Sequence, residues 1–382
     1  MTLIVPKSLQ HLIGVKKIKY KNEWIKSVHL FHLVHRLIYQ WTFDKTDVPL
    51  HSKTLQKIYG IKYHLILEYL LENGIIKRTS NYSTDNGMSI HYKLSTSMDD
   101  VQTFQSTDYV FNKNHRKHWE EKRKKVENDN SPIPVSIRKK ILDDLYTVTI
   151  KDFDESIKIL NEEIKDNPRK YIKNLMMLTS VYDGDIFWEF DDHGRFHSNL
   201  TSLMKEIRNT QLLINGEPIL SLDIKTSQPL FFVQMLKKEW LINSNPEIQQ
   251  FIQLVENGDL YKHLYKRFPE WFTDRDSVKP MVFRCLFDEE RYSHLYKELF
   301  SSEFPEIYEF LVCYHTNYGE PLWKTLQRME SKLIFGKIYQ TIITQIPDIK
   351  LFTVHDSIHY PERYHQQIKK IWEEALAELI NK

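Results

Sequence analysis

Apolar positions near the N-terminus recur first with the spacing of helices and then with the spacing of strands. The face of a first helix is predicted to carry Val28, Phe31, Leu33, Val34, Leu37, Ile38 and Trp41. Two shorter helices and two strands are predicted to follow, over 53–59, 62–72, 75–78 and 90–94. Gly60 and Gly74 end the two helices, and the Asn-Gly turn within 83–87 joins the strands.

This order of three helices and a two-stranded ribbon, over residues 20–95, resembles a winged helix-turn-helix domain. The resemblance implies that the third helix enters a DNA groove and that the ribbon contacts phosphates. The exposed candidates are Lys62, Tyr63 and His64 on the helix, with Lys77, Arg78 and Lys93 on the ribbon. A domain of this kind that makes only protein contacts is the alternative.

Residues 96–134 are less hydrophobic and are predicted to form a basic linker. Its cations are Lys113, Arg116, Lys117, Lys122, Arg123, Lys124 and Lys125. A solvated helix or linker is the simpler interpretation, and a segment that tracks phosphates is the alternative. Helical spacing returns over 135–185 and predicts two or three helices. Over 186–382 strands and helices mix without strict alternation, which predicts an α+β class.

Two acidic residues far apart in sequence end apolar stretches that are typical of strands. Asp356 follows Phe352–His355 and precedes a second apolar stretch, and Asp223 ends the run Ile219–Leu222. An acid at the tip of a buried hairpin is costly without a positive partner, and a metal ion is a suitable one. Ser227 and Pro229 after Asp223 predict a helix start. The alternative is that Asp223 only caps a turn.

A predicted helix between the two acids carries Arg275, Lys279, Phe283 and Phe287 at intervals of four residues, hence on one face. Two cations followed by two aromatic rings suit a triphosphate with a base stacked beyond it. The alternative is an amphipathic helix with solvated cations and core phenylalanines.

Three further groups of polar residues are weaker candidates. Arg195 follows Gly194 in a turn that could meet a nucleic-acid backbone, and Arg208 lies further on. Gln327 lies at the edge of an apolar helix face, where a core-edge glutamine is the simpler interpretation. His29, His32 and His35 share a helix, but a zinc site needs further ligands.

Composition excludes several classes of protein. The net charge is only +2, so a nucleic-acid surface requires local clustering of cations. The chain has only 10 glycines and no glycine-rich phosphate loop. No apolar run is long enough to cross a membrane, and no signal peptide is evident. The two cysteines, Cys285 and Cys313, predict no disulfide, and we expect a cytoplasmic protein.

Taken in order, these segments resemble the palm and fingers of family-A nucleic-acid polymerases, which include bacterial repair DNA polymerases and single-subunit phage-type RNA polymerases. The similar segments are Gly194–Leu200, Arg208, Leu220–Gln228, Arg275–Phe287, Gln327 and Val354–Asp356. The last of these matches the Val-His-Asp of the family's motif C. The resemblance implies a palm with an antiparallel sheet and helical fingers over 186–382, and a helical thumb-like segment over 135–185.

The resemblance also implies two-metal nucleotidyl transfer. Asp223, the Ile224 carbonyl and Asp356 would hold two Mg²⁺ ions, which Mn²⁺ can replace. Arg275 and Lys279 would bind the triphosphate, and Lys279 would protonate the leaving group. The base and sugar contacts would be Phe283, Phe287 and Gln228. The contacts to a DNA primer–template would be Arg195, Arg208, Gln327 and His355.

The sequence departs from the family pattern at three places. The Ser227-Gln228 pair lies further from Asp223 than in the DNA polymerases, and motif C continues with Ser357. The segment that resembles the family's nucleotide-binding helix, Arg275–Phe287, ends in Phe287-Asp288 where the family usually has Tyr-Gly. These departures leave the choice of sugar open. The first hypothesis is a DNA polymerase of a mobile element or phage-type replicon. The alternatives are an RNA polymerase, primase or template-independent transferase on the same palm, and a non-catalytic DNA-binding replication initiator or regulator.

Overall fold

The computed structural model describes residues 1–45, 47–80, 89–95, 101–106, 108, 131–164, 166–239, 245–287, 294–317 and 319–380. Helices and small antiparallel sheets mix along these residues, which confirms the predicted α+β class. None of the helices described here is both long and apolar enough to cross a membrane. The chain divides into two compact units, and the second consists of residues 127–147, 189–197 and 217–382.

The first unit begins with the elements that the N-terminal pattern predicts. Its helices are α1 (Ser27–Thr42), α2 (Ser52–Tyr59) and α3 (Tyr63–Glu72), and its small sheet has β4 (Val48–Pro49), β5 (Ile76–Arg78) and β6 (His91–Leu94). The strands are antiparallel in the order β4-β6-β5. Gly60 and Gly74 follow α2 and α3 with φ of +84° and +65°, where glycine is favoured. The predicted turn over 83–87 lies outside the described residues.

Four strands around these helices were not predicted. They are β1 (Thr2–Pro6), β2 (Lys17–Tyr20), β3 (Glu23–Lys26) and β7 (Val101–Gln105). β7 lies inside the segment that was predicted to be a linker, and it pairs antiparallel with β1 along its whole length. The cations of that segment, from Lys113 to Lys125, lie outside the described residues.

The rest of the first unit is built from short strands and helices. They are β8 (Val148–Ile150), α5 (Phe153–Ile164), α6 (Pro168–Tyr182), α7 (Asn199–Ser202), α8 (Lys205–Thr210) and β11 (Leu212–Ile214). The segment 135–185 contains three helices, α4 (Val135–Leu145), α5 and α6. Of these, α4 belongs to the second unit. That segment is therefore shared between the units.

The second unit contains an antiparallel sheet of β12 (Glu217–Asp223), β13 (Phe352–Val354) and β14 (Ser357–Pro361), with β14 in the middle. A hairpin precedes it, formed by β9 (Trp188–Phe190) and β10 (Phe196–Ser198). Its helices are α9 (Ser227–Glu239), α10 (Pro246–Glu256), α11 (Leu260–Arg267), α12 (Lys279–Phe287), α13 (His294–Glu303), α14 (Pro305–Asn317), α15 (Leu322–Leu333), α16 (Gln340–Gln345) and α17 (His365–Ile380). A π-helical turn, Ile334–Tyr339, joins α15 directly to α16.

A buried acid on α4 holds the start of the β13–β14 hairpin. The carboxylate of Asp144 has no exposed surface and accepts hydrogen bonds from Lys140 Nζ at 2.7 Å and from the backbone N–H of Leu351 at 3.4 Å. Lys350 lies 3.2 Å from it, and the Tyr339 hydroxyl donates at 3.4 Å. Asp144 therefore connects the π-helical turn to the strand that leads to Asp356.

Candidate active site

The β13–β14 hairpin brings Asp356 to the end of β12, where Asp223 lies. Val354 pairs with Ser357, so His355 and Asp356 form a two-residue turn. Asp223 stands opposite Ser357 in the antiparallel register, and the Ile224 N–H donates to the Asp356 carbonyl at 3.2 Å. The structure thus places the two predicted acids at one edge of the sheet.

The two acids differ in exposure, and this corrects the expectation that both are buried. Asp223 is exposed, whereas Asp356 is half-buried. Burial raises the pKa of Asp356 to about 7, and the nearby negative charges of Asp223 and Glu330 act in the same direction. The edge of the sheet therefore concentrates negative charge that a cation would relieve.

Backbone strain lies beside both acids. His355 has φ of +52° and Thr226 has φ of +51°, in the left-handed region that β-branched and bulky side chains rarely adopt. His355 occupies the first position of its tight turn, and Thr226 directly precedes α9. A residue in this region costs about 1 to 3 kcal/mol and persists only where the surrounding structure holds it in place. Such residues are concentrated at functional sites.

A third acid, Glu330 on α15, lies beneath this edge and was not predicted. Its side chain is buried and accepts from Arg195 Nη2 at 3.0 Å, from Gln228 Nε2 at 2.5 Å and from Ser227 Oγ at 3.2 Å. Burial raises the pKa of Glu330 although the charge of Arg195 and these donors lower it. All these partners donate, which suits an ionised carboxylate.

The sequence did contain a signal for Glu330. The apolar face of α15 carries Leu322, Leu326 and Leu333, and Glu330 falls on that same buried face. Charged residues are almost never fully buried unless they are paired, so an acid in such a stripe indicates a buried partner. Gln327, the predicted candidate, is half-buried one turn earlier on the same helix.

Arg195 is aimed at Glu330 by the tight turn between β9 and β10. Asp191 Oδ1 accepts from the backbone N–H groups of His193 at 3.0 Å and of Arg195 at 2.8 Å. Gly194 has φ of +86°, and a Cβ on it would lie 2.9 Å from Pro132 Cγ. Ser331 Oγ, next to Glu330 in sequence, donates to the Gly194 carbonyl. The predicted Gly-Arg turn is therefore fixed against α15.

The β9–β10 hairpin also contacts the β13–β14 hairpin. His197 Nε2 lies 3.0 Å from Asp191 Oδ2, and the His197 ring meets the His355 ring edge-on at 5.7 Å between centroids. Burial raises the pKa of Asp191, but the hydrogen bonds from His197 and from the Arg195 and His193 backbones hold it below its usual value. The carboxylate of Asp191 thus orients His197, the ring neighbour of His355.

The predicted nucleotide-binding helix is shorter than expected. α12 begins at Lys279, and Arg275 lies before a 3-10 turn, Asp276–Val278, so the four residues do not share one regular helix. Arg275 and Lys279 are exposed, and Phe283 and Phe287 are half-buried with ring centroids 5.5 Å apart. Lys279, Phe283 and Phe287 therefore share one helix, and Arg275 stands on a separate turn.

Tyr261 on α11 relates these cations to the acids. Its ring lies 6.0 Å from Lys279 Nζ, which also pairs with Asp276 at 2.9 Å. Burial raises the pKa of Tyr261 to about 12, the positive charge of Arg275 lowers it, and the negative charge of Asp356 raises it. Arg275 of the predicted triphosphate site and Asp356, a predicted metal ligand, thus both affect the pKa of Tyr261.

Several predicted contacts have other partners in the structure. Arg208, in the first unit, donates through Nη1 to the carbonyls of Leu200 at 3.0 Å and Leu203 at 2.7 Å, and so stabilises the end of α7. Lys62 pairs with Glu23 at 2.5 Å. Lys77 and Arg78 are exposed on β5. His32 and His35 bond Tyr59 and the Ile4 backbone, which accounts for two of the three histidines without a metal.

The acids fit a hard divalent cation that also binds substrate. In the part of the chain that the structure describes, no group of three or more His, Cys, Asp or Glu residues could hold a metal ion. Mg²⁺ does not require such a cage, because it usually keeps several waters and binds one or two carboxylates together with substrate phosphates. The carboxylates of Asp223 and Asp356 are suitable ligands of this kind, because the charge of Asp223 makes ionisation of Asp356 costly, and Ile224 bonds the Asp356 backbone.

Comparison of the chain with protein-family models, with curated proteins and with solved structures gives no match. The interpretation of the site therefore rests on its own residues and geometry.

Proposed function

We propose that the chain is a template-directed nucleotidyltransferase that extends a DNA primer with nucleoside triphosphates. The observation that carries the proposal is the meeting of Asp223 and Asp356, from distant parts of the sequence, at one sheet edge. The ordered polymerase-like motifs and the left-handed residues beside both acids support it.

The residues would divide the work as follows. Asp223 and Asp356 would hold two Mg²⁺ ions, which activate a primer 3′-hydroxyl and neutralise the leaving pyrophosphate when they are bound. Arg275 and Lys279 are exposed cations that would bind the triphosphate. Lys279 could also donate a proton to the leaving group, and Phe283 and Phe287 offer a stacking surface for the base.

Glu330 supports these roles without being a ligand. It holds Arg195 and the first two residues of α9, Ser227 and Gln228, in one buried set of hydrogen bonds. Ser227 also lowers the pKa of Asp356, so the start of α9 lies beside that acid. Gln228, the candidate sugar contact, is thereby restrained, since its amide nitrogen faces Glu330.

Primer extension tests the proposal. A labelled primer–template is incubated with Mg²⁺ and, separately, dNTPs or NTPs, using the full chain, Asp356→Ala, Asp223→Asn and the exposed control Asp348→Ala. We expect extension that falls about a thousandfold or more in the first two variants, because a catalytic metal supplies several kcal/mol, and that survives in the control.

The nucleotide used decides between a DNA polymerase and an RNA polymerase or primase. Extension without a template would support a template-independent transferase. No product on primed, unprimed or single-stranded substrates would overturn nucleotidyl transfer and favour a non-catalytic DNA-binding initiator. Equal activity of Asp356→Ala and the unmodified chain would overturn the assignment of the acids.

A further inference from the structure

The two-stranded ribbon β2–β3 has a strongly basic sequence. Residues 16–26 contain five lysines and one acid, and Lys21 and Asn22 form the turn with φ of +47° and +65°. Positive φ at both turn residues matches the twist of a tight hairpin, so the ribbon has a defined register.

That register sorts the side chains onto two faces. Lys17 pairs with Lys26 and Lys19 pairs with Trp24, so these four side chains share one face. Trp24 is 60% exposed, and Lys17 and Lys19 are exposed beside it. Lys26 is half-buried and pairs with Asp108 at 2.9 Å. We refer to Lys17, Lys19 and Trp24 as the lysine–tryptophan face.

The opposite face fixes the ribbon to α3. Ile25 is buried, and the ring of Tyr20 meets that of Tyr69 edge-on at 5.5 Å between centroids. Lys21 at the turn pairs with Glu68 and Glu72, each at 3.0 Å. Because the ribbon is held at its turn and along its inner face, the exposed indole stands on a supported platform.

The exposed indole makes this face more than a solvated basic surface. Lysines alone would suit any polyanion, but covering a large exposed aromatic ring contributes about 25 cal/mol for each Å² of apolar surface removed from water. A flat ring between ammonium groups matches a strand of unpaired nucleotides, in which bases stack on aromatic side chains and phosphates meet cations. A duplex would hide its base faces, and an acidic peptide would leave the indole unused.

We propose that the lysine–tryptophan face binds single-stranded nucleic acid, with one base stacked on Trp24 and neighbouring phosphates held by Lys17 and Lys19. This binding requires no nucleotidyl transfer in the second unit. The lysine–tryptophan face is also distinct from Lys62, the candidate DNA contact on the predicted third helix, which is paired with Glu23.

Binding of a labelled oligothymidylate of about 16 nucleotides to the full chain tests the proposal by fluorescence anisotropy. Trp24→Ala is expected to weaken binding about ten- to a hundredfold, as loss of one stacked base does. Lys17→Gln with Lys19→Gln should reduce the slope of log affinity against log salt by about 1.4, or about 0.7 for each lost contact. Lys369→Gln with Lys370→Gln, the same charge loss on α17, should leave the slope unchanged.

Tryptophan emission gives a second, local readout. Oligothymidylate should quench the emission of the full chain, and Trp24→Phe should remove most of that quenching while retaining weaker stacking. The measurement uses neither Mg²⁺ nor a nucleoside triphosphate, so a failure of the proposed catalysis would not affect this test.

Three results would overturn the proposal. The first is that the Trp24 variants bind oligothymidylate with the same affinity and the same quenching as the unmodified chain. The second is that the chain binds duplex more tightly than single strand and that this preference depends on Trp24. The third is that polyglutamate competes as well as oligothymidylate and that Trp24→Ala does not alter its competition. Thermal unfolding of each variant at the same midpoint as the unmodified chain would show that a lost signal reflects the face and not the fold.

Discussion

Arg195 and Glu330 are joined by two nearly parallel hydrogen bonds, Nε to Oε1 at 3.1 Å and Nη2 to Oε2 at 3.0 Å. They lie in different elements, the β9–β10 turn and α15, and Glu330 also receives Ser227 and Gln228 from α9. This one carboxylate therefore fixes three segments beneath the candidate acids.

Replacing that carboxylate should be costly. Glu330→Gln leaves the half-buried Arg195 without its countercharge, and we expect the free energy of unfolding to fall by about 3 kcal/mol. Glu320→Gln is the matched control, because Glu320 forms a similar two-bond pair with Arg328 at the surface. Its loss should cost less than about 1 kcal/mol in urea unfolding. Equal effects of the two changes would contradict the role assigned to Glu330.

Any side chain at position 194 should lower the free energy of unfolding. Gly194→Ala places a Cβ 2.9 Å from Pro132 Cγ and 3.1 Å from Ser331 Cβ, and it also forces a left-handed φ on alanine. Gly216→Ala separates the two effects, since Gly216 has φ of +77° with nothing within 4 Å of the added Cβ. We expect about 1 kcal/mol for Gly216→Ala and about 2 to 4 kcal/mol for Gly194→Ala, measured by urea unfolding. A smaller loss at Gly194 would show that the turn is free to move away from α15.

Replacing His355 or Thr226, the left-handed residues beside the acids, by glycine should preserve or raise stability and lower primer extension. His355→Gly and Thr226→Gly remove Cβ strain, so each is expected to raise or preserve the free energy of unfolding, by up to about 1 kcal/mol. Primer extension should fall in both, because the acids lose rigid neighbours and His355 loses its ring contact with His197. Asn215→Gly, at φ of +51° in another turn, is the control that should leave extension unchanged. Reduced stability with full extension in both site variants would refute this explanation of the strain.

Asp144 should be a structural acid rather than a functional one. Asp144→Ala removes the acceptor of the Leu351 N–H and of Tyr339, and leaves Lys140 and Lys350 without their partner. The lysines are partly exposed, so we expect a loss of about 3 kcal/mol, at the lower end for a broken buried pair. Thermal unfolding would measure this, and residual extension at low temperature would separate it from a loss of catalysis. An unchanged unfolding midpoint would contradict the structural role.

The elements with strong periodicity were predictable, and those that depend on distant pairing were not. α1 was located from its apolar face, and α2 and α3 from the glycines that follow them, Gly60 and Gly74. β1 and β7 are five residues each, lie far apart in sequence and, among the described strands, pair with each other, so their pairing depends on the tertiary fold.

The site was predictable where a motif carries its own spacing. Asp223 and Asp356 were found from the apolar runs before them, and the structure brings them together. Glu330 was missed because its place on the apolar face of α15 indicates a buried partner without identifying it, and only the tertiary fold supplies Arg195 and Gln228. Arg275 was assigned to the wrong kind of element because a spacing of four residues continues across a 3-10 turn.

The π-helical turn between α15 and α16 has a consequence for how this sequence can change. Upstream of it Glu330 bonds Arg195, and within it the Tyr339 hydroxyl donates to Asp144, so one continuous helix contributes to two sets of buried contacts. Winding these six residues as a regular α-helix would rotate one half against the other by about 100°, which is the turn of one residue. Only one of the two partnerships could then be kept. The segment should therefore keep its wider winding, even where its individual side chains can be exchanged.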